Sequence, residues 1–207
     1  MGNSILNRKF RYTYSNLTVS LIVINFAVFA LTAFLFPRLE YYLGLVPAYI
    51  YYKHYYWQFF TYMFTHAGIR HLIFNMLALY IFGTAVEHRL GSKEFLLYYL
   101  TVGFLSGLAS YGVYYLTNTN VVLVGASGAI YGLLIMFAVL YPNALIYVFG
   151  IIPVRAPLLV VIYFFISFFS GFRGGSVAHF THMFGLVFGF LYIIIRLKIN
   201  PFNVWKR

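Results

Sequence analysis

Apolar residues fill this chain in six long runs, at positions 17–36, 71–86, 95–116, 127–141, 157–170 and 177–195. Several approach the ~20 residues that carry a helix across a bilayer. Pro37 ends the first run, a charged loop at 87–94 is expected to end the second, Pro142 ends the fourth and Arg196 ends the sixth. The pattern predicts an all-α polytopic membrane protein. A six-helix membrane domain covers 17–196, after a short basic segment at 1–16 and before a short basic tail at 197–207. The apolar run that starts at Leu17 is too long for a signal peptide and shows no cleavage site of small residues, so it is expected to be a retained helix.

Two stretches between the runs are unusual. The region between the first two runs is dense in aromatics, including Tyr51, Tyr52, Tyr55, Tyr56, Trp57, Phe59 and Phe60. Aromatics at this density favour the membrane interface, so this loop is expected to lie partly in the outer leaflet. The stretch 117–126 begins with Thr-Asn-Thr-Asn and closes on Val-Gly-Ala, immediately before Ser127.

Composition agrees with a membrane class. Hydrophobic residues make up 63% of the chain and charged residues 8%, against about a quarter charged in a soluble domain. The net charge of +11 would suggest nucleic acid on a soluble protein, but the cations sit between the apolar runs and form no basic face. With the first segment cytoplasmic, Arg8, Lys9, Arg11, Arg89, Lys93, Arg155, Arg196, Lys198, Lys206 and Arg207 fall inside, and only Arg38, Lys53, Arg70 and Arg173 outside. The positive-inside rule then places both termini in the cytoplasm, which suits an even number of spans. There is no cysteine and no aspartate; the three acids are Glu40, Glu87 and Glu94. Disulfides, thiol nucleophiles and cysteine-ligated metals are excluded, and any hydrolytic chemistry must proceed without an aspartate.

The fourth run carries the candidate chemistry. Its fifteen residues span ~22 Å as a helix, against a hydrocarbon core of ~30 Å. With its Pro142 end near the inner surface, Ser127 begins several Å below the outer one. Irregular backbone at that depth must be buried in protein or line a wet cavity, so Gly125 and Ala126 should lead into a cavity with Ser127 at its floor. Serine is also a good helix N-cap, the plain structural alternative. The sixth run holds His179 and His182, and ionisable groups inside a span are functional candidates. Thr181, Gly185 and Gly189 form a row of small residues, as do Gly128 and Gly132 on the fourth run. Packed row against row, they bring His182 beside Ser127, where a neutral imidazole could take the serine proton. Tyr131, one turn below Ser127, could pack against that imidazole.

On the second run, His71 and Asn75 are four residues apart and share a helix face. With the Ser127 amide at a helix N-terminus they form a plausible oxyanion hole, or else a polar pair that merely faces the bundle interior. The histidines do not suggest a metal. Cysteine and aspartate are lacking, and Glu87 and Glu94 fall at the opposite side. His179 and His66 are expected to hydrogen-bond and order the loops of the cavity mouth. His54 and His88 read as loop or interfacial residues.

These pieces together resemble the rhomboid family of intramembrane serine proteases. The resemblance rests on His71 and Asn75, on Gly125-Ala126-Ser127-Gly128 with Tyr131, and on Ala178-His179 with His182, Gly185 and Gly189, in the family's order. Trp57-Gln58 is similar to the family's Trp-Arg loop motif, and Glu87-His88-Arg89-Leu90-Gly91 to its turn after the second helix. The resemblance covers 57–189. It implies Ser127 as nucleophile, His182 as base, His71, Asn75 and the Ser127 amide on the oxyanion, and Tyr131 stacked under the base. It also implies no cofactor, and a transmembrane protein substrate cut near the outer side of the bilayer, with small residues at the cut and helix-destabilising residues beyond it. Gln58 departs from the family's arginine, and Thr181 from its usual alanine, which predicts a slightly wider helix contact.

The expectation is therefore a serine peptidase of the cell membrane that needs no metal and binds no nucleic acid. A non-catalytic binder of membrane helices is the second reading. A transporter is the third, and it predicts an internal repeat that the sequence does not show. Phe164, Phe165, Phe168 and Phe169 mark the fifth run as a candidate gate for substrate.

Overall fold

A computed structural model describes residues 10–148, 150–172 and 178–206. Arg8, Lys9, Arg173, Val177 and Arg207, which entered the cation count or the sixth segment, lie outside the described residues. Six apolar helices dominate: α1 (Leu17–Leu35), α2 (Ile69–Leu90), α3 (Ser92–Leu116), α4 (Ser127–Leu140), α5 (Ala156–Phe172) and α6 (Ala178–Ile195). Helices α1, α2 and α3 are long and apolar enough to cross a membrane; α4, α5 and α6 are shorter apolar helices.

Helix α4 is the axis of the bundle. Gly128, Ala129, Ile130, Gly132, Leu133, Leu134, Ile135, Met136, Ala138 and Val139 are all buried, as expected of a helix that is apolar on every face. It packs on α6, α3, α5 and α2. Helices α1 and α5 lie at the periphery, where Val23, Phe34, Phe165 and Phe169 are exposed; these are the surfaces a lipid phase would cover.

The glycine rows act as anticipated. A Cβ on Gly185 would sit 2.1 Å from the Gly128 carbonyl oxygen, and one on Gly189 would sit 3.0 Å from the Gly132 Cα. Only glycine permits this approach of α4 and α6. Thr181 does not hold the helices apart. It is buried, its hydroxyl hydrogen-bonds to Ser110 on α3 at 2.8 Å, and its methyl packs toward Gly128.

The stretch 87–94 is not a charged loop. Helix α2 runs on to Leu90 and α3 begins at Ser92, so Gly91 alone makes the turn, with φ 82°. The reason is Glu87, which is fully buried. Its carboxylate accepts hydrogen bonds from the Leu17 and Thr18 amides at 2.7 and 2.8 Å, the Thr18 hydroxyl at 2.7 Å and the Ser92 hydroxyl at 2.5 Å. It thereby serves the free amides at the start of α1, where a negative charge is favoured.

The all-helical expectation needs one further correction. Between α4 and α5 a two-stranded antiparallel hairpin pairs β1 (Leu145–Val148) with β2 (Ile152–Arg155). Its strands are rich in β-branched and aromatic residues, and Gly150 takes φ 73° in the turn.

The aromatic loop is itself ordered into short helices, Leu39–Leu43, Pro47–Lys53 and Gln58–Thr61, with a 3₁₀ turn at Tyr62–Phe64. Gln58 is fully buried and ties this loop together. Its amide donates to the Tyr41 and Tyr42 carbonyls at 2.9 and 3.2 Å, and its carbonyl accepts from the Val46 amide at 2.9 Å. Leu45 then pairs with Leu123 through two 2.9 Å backbone hydrogen bonds, which fixes the approach to Ser127.

Candidate active site

Ser127 is the first residue of α4, and the residue in the capping position is Ala126, which makes no side-chain cap. The serine hydroxyl is thus not spent as an N-cap. It lies 2.8 Å from His182 Nε2, and both residues are half-buried. With the ring proton on Nδ1 and Nε2 unprotonated, the hydroxyl donates to Nε2.

The imidazole is held from below. The Tyr131 ring stacks on His182 with centroids 4.2 Å apart and planes within 7°. Tyr131 in turn meets Tyr163 of α5 edge-on at 5.6 Å. An aromatic stack of this kind fixes the plane of the imidazole without a carboxylate. The neighbouring Thr181–Ser110 hydrogen bond fixes that turn of α6 to α3.

Gly125 brings the chain to the serine with φ 118°, a conformation that favours glycine. Its amide donates to the Tyr62 carbonyl at 2.9 Å, and Tyr62 donates to the Gly103 carbonyl at 2.6 Å. Space as well as backbone angle demands glycine here: a Cβ would lie 2.7 Å from His71 Cε1 and 2.8 Å from His71 Nε2. The His71 ring is therefore packed against the backbone two residues before Ser127. Asn75, one turn further along α2, is buried and donates one amide N–H to the His71 carbonyl at 2.8 Å. Its second N–H remains for another acceptor.

The structure thus gathers Ser127, His182 and Tyr131 into direct contact, and places His71 against Gly125. Gly128, Gly185 and Gly189 make the helix crossing beneath them. His179 stands edge-on to His182 at 6.2 Å. Among the described residues, no group of three or more histidine or acidic side chains is placed to hold a metal ion.

A family model for the rhomboid domain matches residues 53–199. The chain belongs to the rhomboid family. Among its relatives, YdcA of Bacillus subtilis is 35% identical over 137 residues, which is 65% of this chain and 64% of that protein. The rhomboid protease GluP of the same species is 36% identical over 140 residues, 65% of this chain and 25% of that one. RHOMBOID-like protein 1 of Arabidopsis thaliana is 34% identical over 155 residues, 73% of this chain and 38% of the relative. The matched stretches thus take in less than two thirds of these relatives' own lengths. Membership in the family, with its apolar helices, makes this rhomboid an integral membrane protein.

Two features of this rhomboid site escaped sequence reasoning. In the sequence Gln58 shows only as a departure from a motif, whereas its neutral amide makes three hydrogen bonds across the loop. The expectation that His66 orders the cavity mouth by hydrogen bonding is not met, since it is buried and neither of its ring nitrogens has a hydrogen-bond partner. No sequence signal distinguishes a buried loop histidine from an exposed one.

Proposed function

We propose that this rhomboid is an intramembrane serine protease that hydrolyses peptide bonds of transmembrane proteins through a Ser127–His182 dyad. The observation that carries this reading is the 2.8 Å separation of Ser127 Oγ and His182 Nε2 at the start of α4. Ser127 Oγ attacks the scissile carbonyl carbon while its proton passes to His182 Nε2. The negative oxygen accepts hydrogen bonds from the Ser127 amide, His71 and Asn75, helped by the positive end of α4. His182 then protonates the leaving amine, and water, deprotonated by the same ring, releases the acyl group. Tyr131 takes the orienting part that aspartate plays in a triad. No cofactor or metal enters these steps.

The six apolar helices serve as six spans, with the cation-rich ends of the domain facing the cytoplasm and Ser127 below the outer surface of the cell membrane. A substrate helix hides its carbonyls in its own hydrogen bonds, so it must unwind to present one. Residues that destabilise a helix beyond the cut favour this. Helix α5, on which Phe164, Phe165, Phe168 and Phe169 meet one another in ring contacts, is the side through which substrate enters.

A serine-directed fluorophosphonate tests the assignment. Wild type should become labelled at Ser127, Ser127→Ala should not, and His182→Ala should react at least about 10²-fold more slowly. Equal labelling of wild type and Ser127→Ala would remove the nucleophile from this account.

A further inference from the structure

His66 stands out among the buried polar groups, being 2% exposed with both ring nitrogens unpartnered. The Phe64 carbonyl lies beside the ring but outside hydrogen-bonding geometry. Leaving a buried polar group unpaired is costly, and an apolar side chain would fill the same space without that cost. The ring faces one neighbour of consequence. It meets the His71 imidazole edge-to-face, with centroids 5.1 Å apart and planes at 65°. His71 thus touches both this ring and Gly125, two residues before Ser127.

We infer that His66 is a positioning residue for the oxyanion site, holding the His71 ring in the orientation that turns its N–H toward the reacting carbonyl. The inference rests on reading His71 as an oxyanion donor. Burial, and then the charge of His71, push the His66 imidazole down to about 4, so the ring is neutral at physiological pH. A neutral imidazole offers one donor and one acceptor, and neither is taken up by another protein group here, so the ring acts on His71 through their edge-to-face contact. The cost of burying it is of the kind proteins carry at functional positions.

The test is a double-mutant cycle on the full chain in liposomes, with kcat and KM measured on a model transmembrane substrate and thermal stability measured alongside. His66→Leu should lower kcat by ~10-fold or more while KM stays within about twofold, and Tm should not fall. His66→Gln, which again supplies a donor and an acceptor, should recover part of the loss and also serves if the leucine variant does not fold. In a His71→Ala background, His66→Leu should have no further effect on kcat. The inference is overturned if His66→Leu keeps full kcat beside an impaired His71→Ala, if the two losses simply add, or if kcat falls only as far as Tm does. A fully active His71→Ala would sink the oxyanion assignment and this inference with it, whereas cleavage that survives Ser127→Ala would sink the protease reading itself.

Discussion

At one end of the bundle two glutamates are crowded with partners; at the other a serine, four histidines and an asparagine share very few. Glu87 accepts four hydrogen bonds that join the starts of α1 and α3 to the end of α2. Glu94 receives Arg196 through Nε at 2.6 Å and Nη2 at 2.8 Å, and the Tyr192 hydroxyl at 2.6 Å. Buried charge is tolerable on those terms. Across the bundle, Ser127 and His182 share one hydrogen bond, and Asn75 bonds to its own helix. His66 has no hydrogen-bond partner. A saturated network fixes structure, whereas under-bonded polar groups keep donors and acceptors for something that arrives later. The same distinction separates the two kinds of variant that follow.

The largest effect belongs at the under-bonded end. Ser127→Ala and His182→Ala should each lower cleavage by about 10⁴-fold with no fall in Tm, because neither side chain holds the bundle together. Next is Gly185→Ala, whose methyl would fall 2.1 Å from the Gly128 carbonyl oxygen. It should cost about 3 kcal/mol and, by parting α4 from α6, should also reduce activity, as denaturation and cleavage measured on one sample would show. At the saturated end, Glu87→Ala should cost about 3 kcal/mol in stability, yet leave kcat of the folded protein within about twofold. A large kcat loss there would break the division between the two ends. The smallest effect is at Tyr131. Removing the stack with Tyr131→Leu should lower kcat by up to ~10-fold, while Tyr131→Phe, which keeps the ring, should stay near wild type.

Much of this was legible in the sequence, because the apolar runs and the glycine rows are dictated by the bilayer and by contact distance. Five of the six helices were placed within a few residues, and the packing of the small-residue rows predicted the meeting of Ser127 and His182. The sequence pattern cuts helix α2 short because Glu87 reads as a surface charge until Leu17 and Thr18, about 70 residues away, are known to bond it. The hairpin at Leu145–Arg155 was missed because its short apolar strands sit beside a proline-ended helix and carry no strong alternation. The roles of Gln58 and His66 depend on burial, which comes from contacts remote in sequence and cannot be read from a single residue type.

The most direct test of the central claim is cleavage of a model transmembrane substrate in liposomes by wild type, Ser127→Ala and His182→Ala, with a chelator present throughout. A metal-independent serine dyad predicts that wild type cuts and both variants are inactive though folded. Cleavage at the wild-type rate by either variant would contradict it.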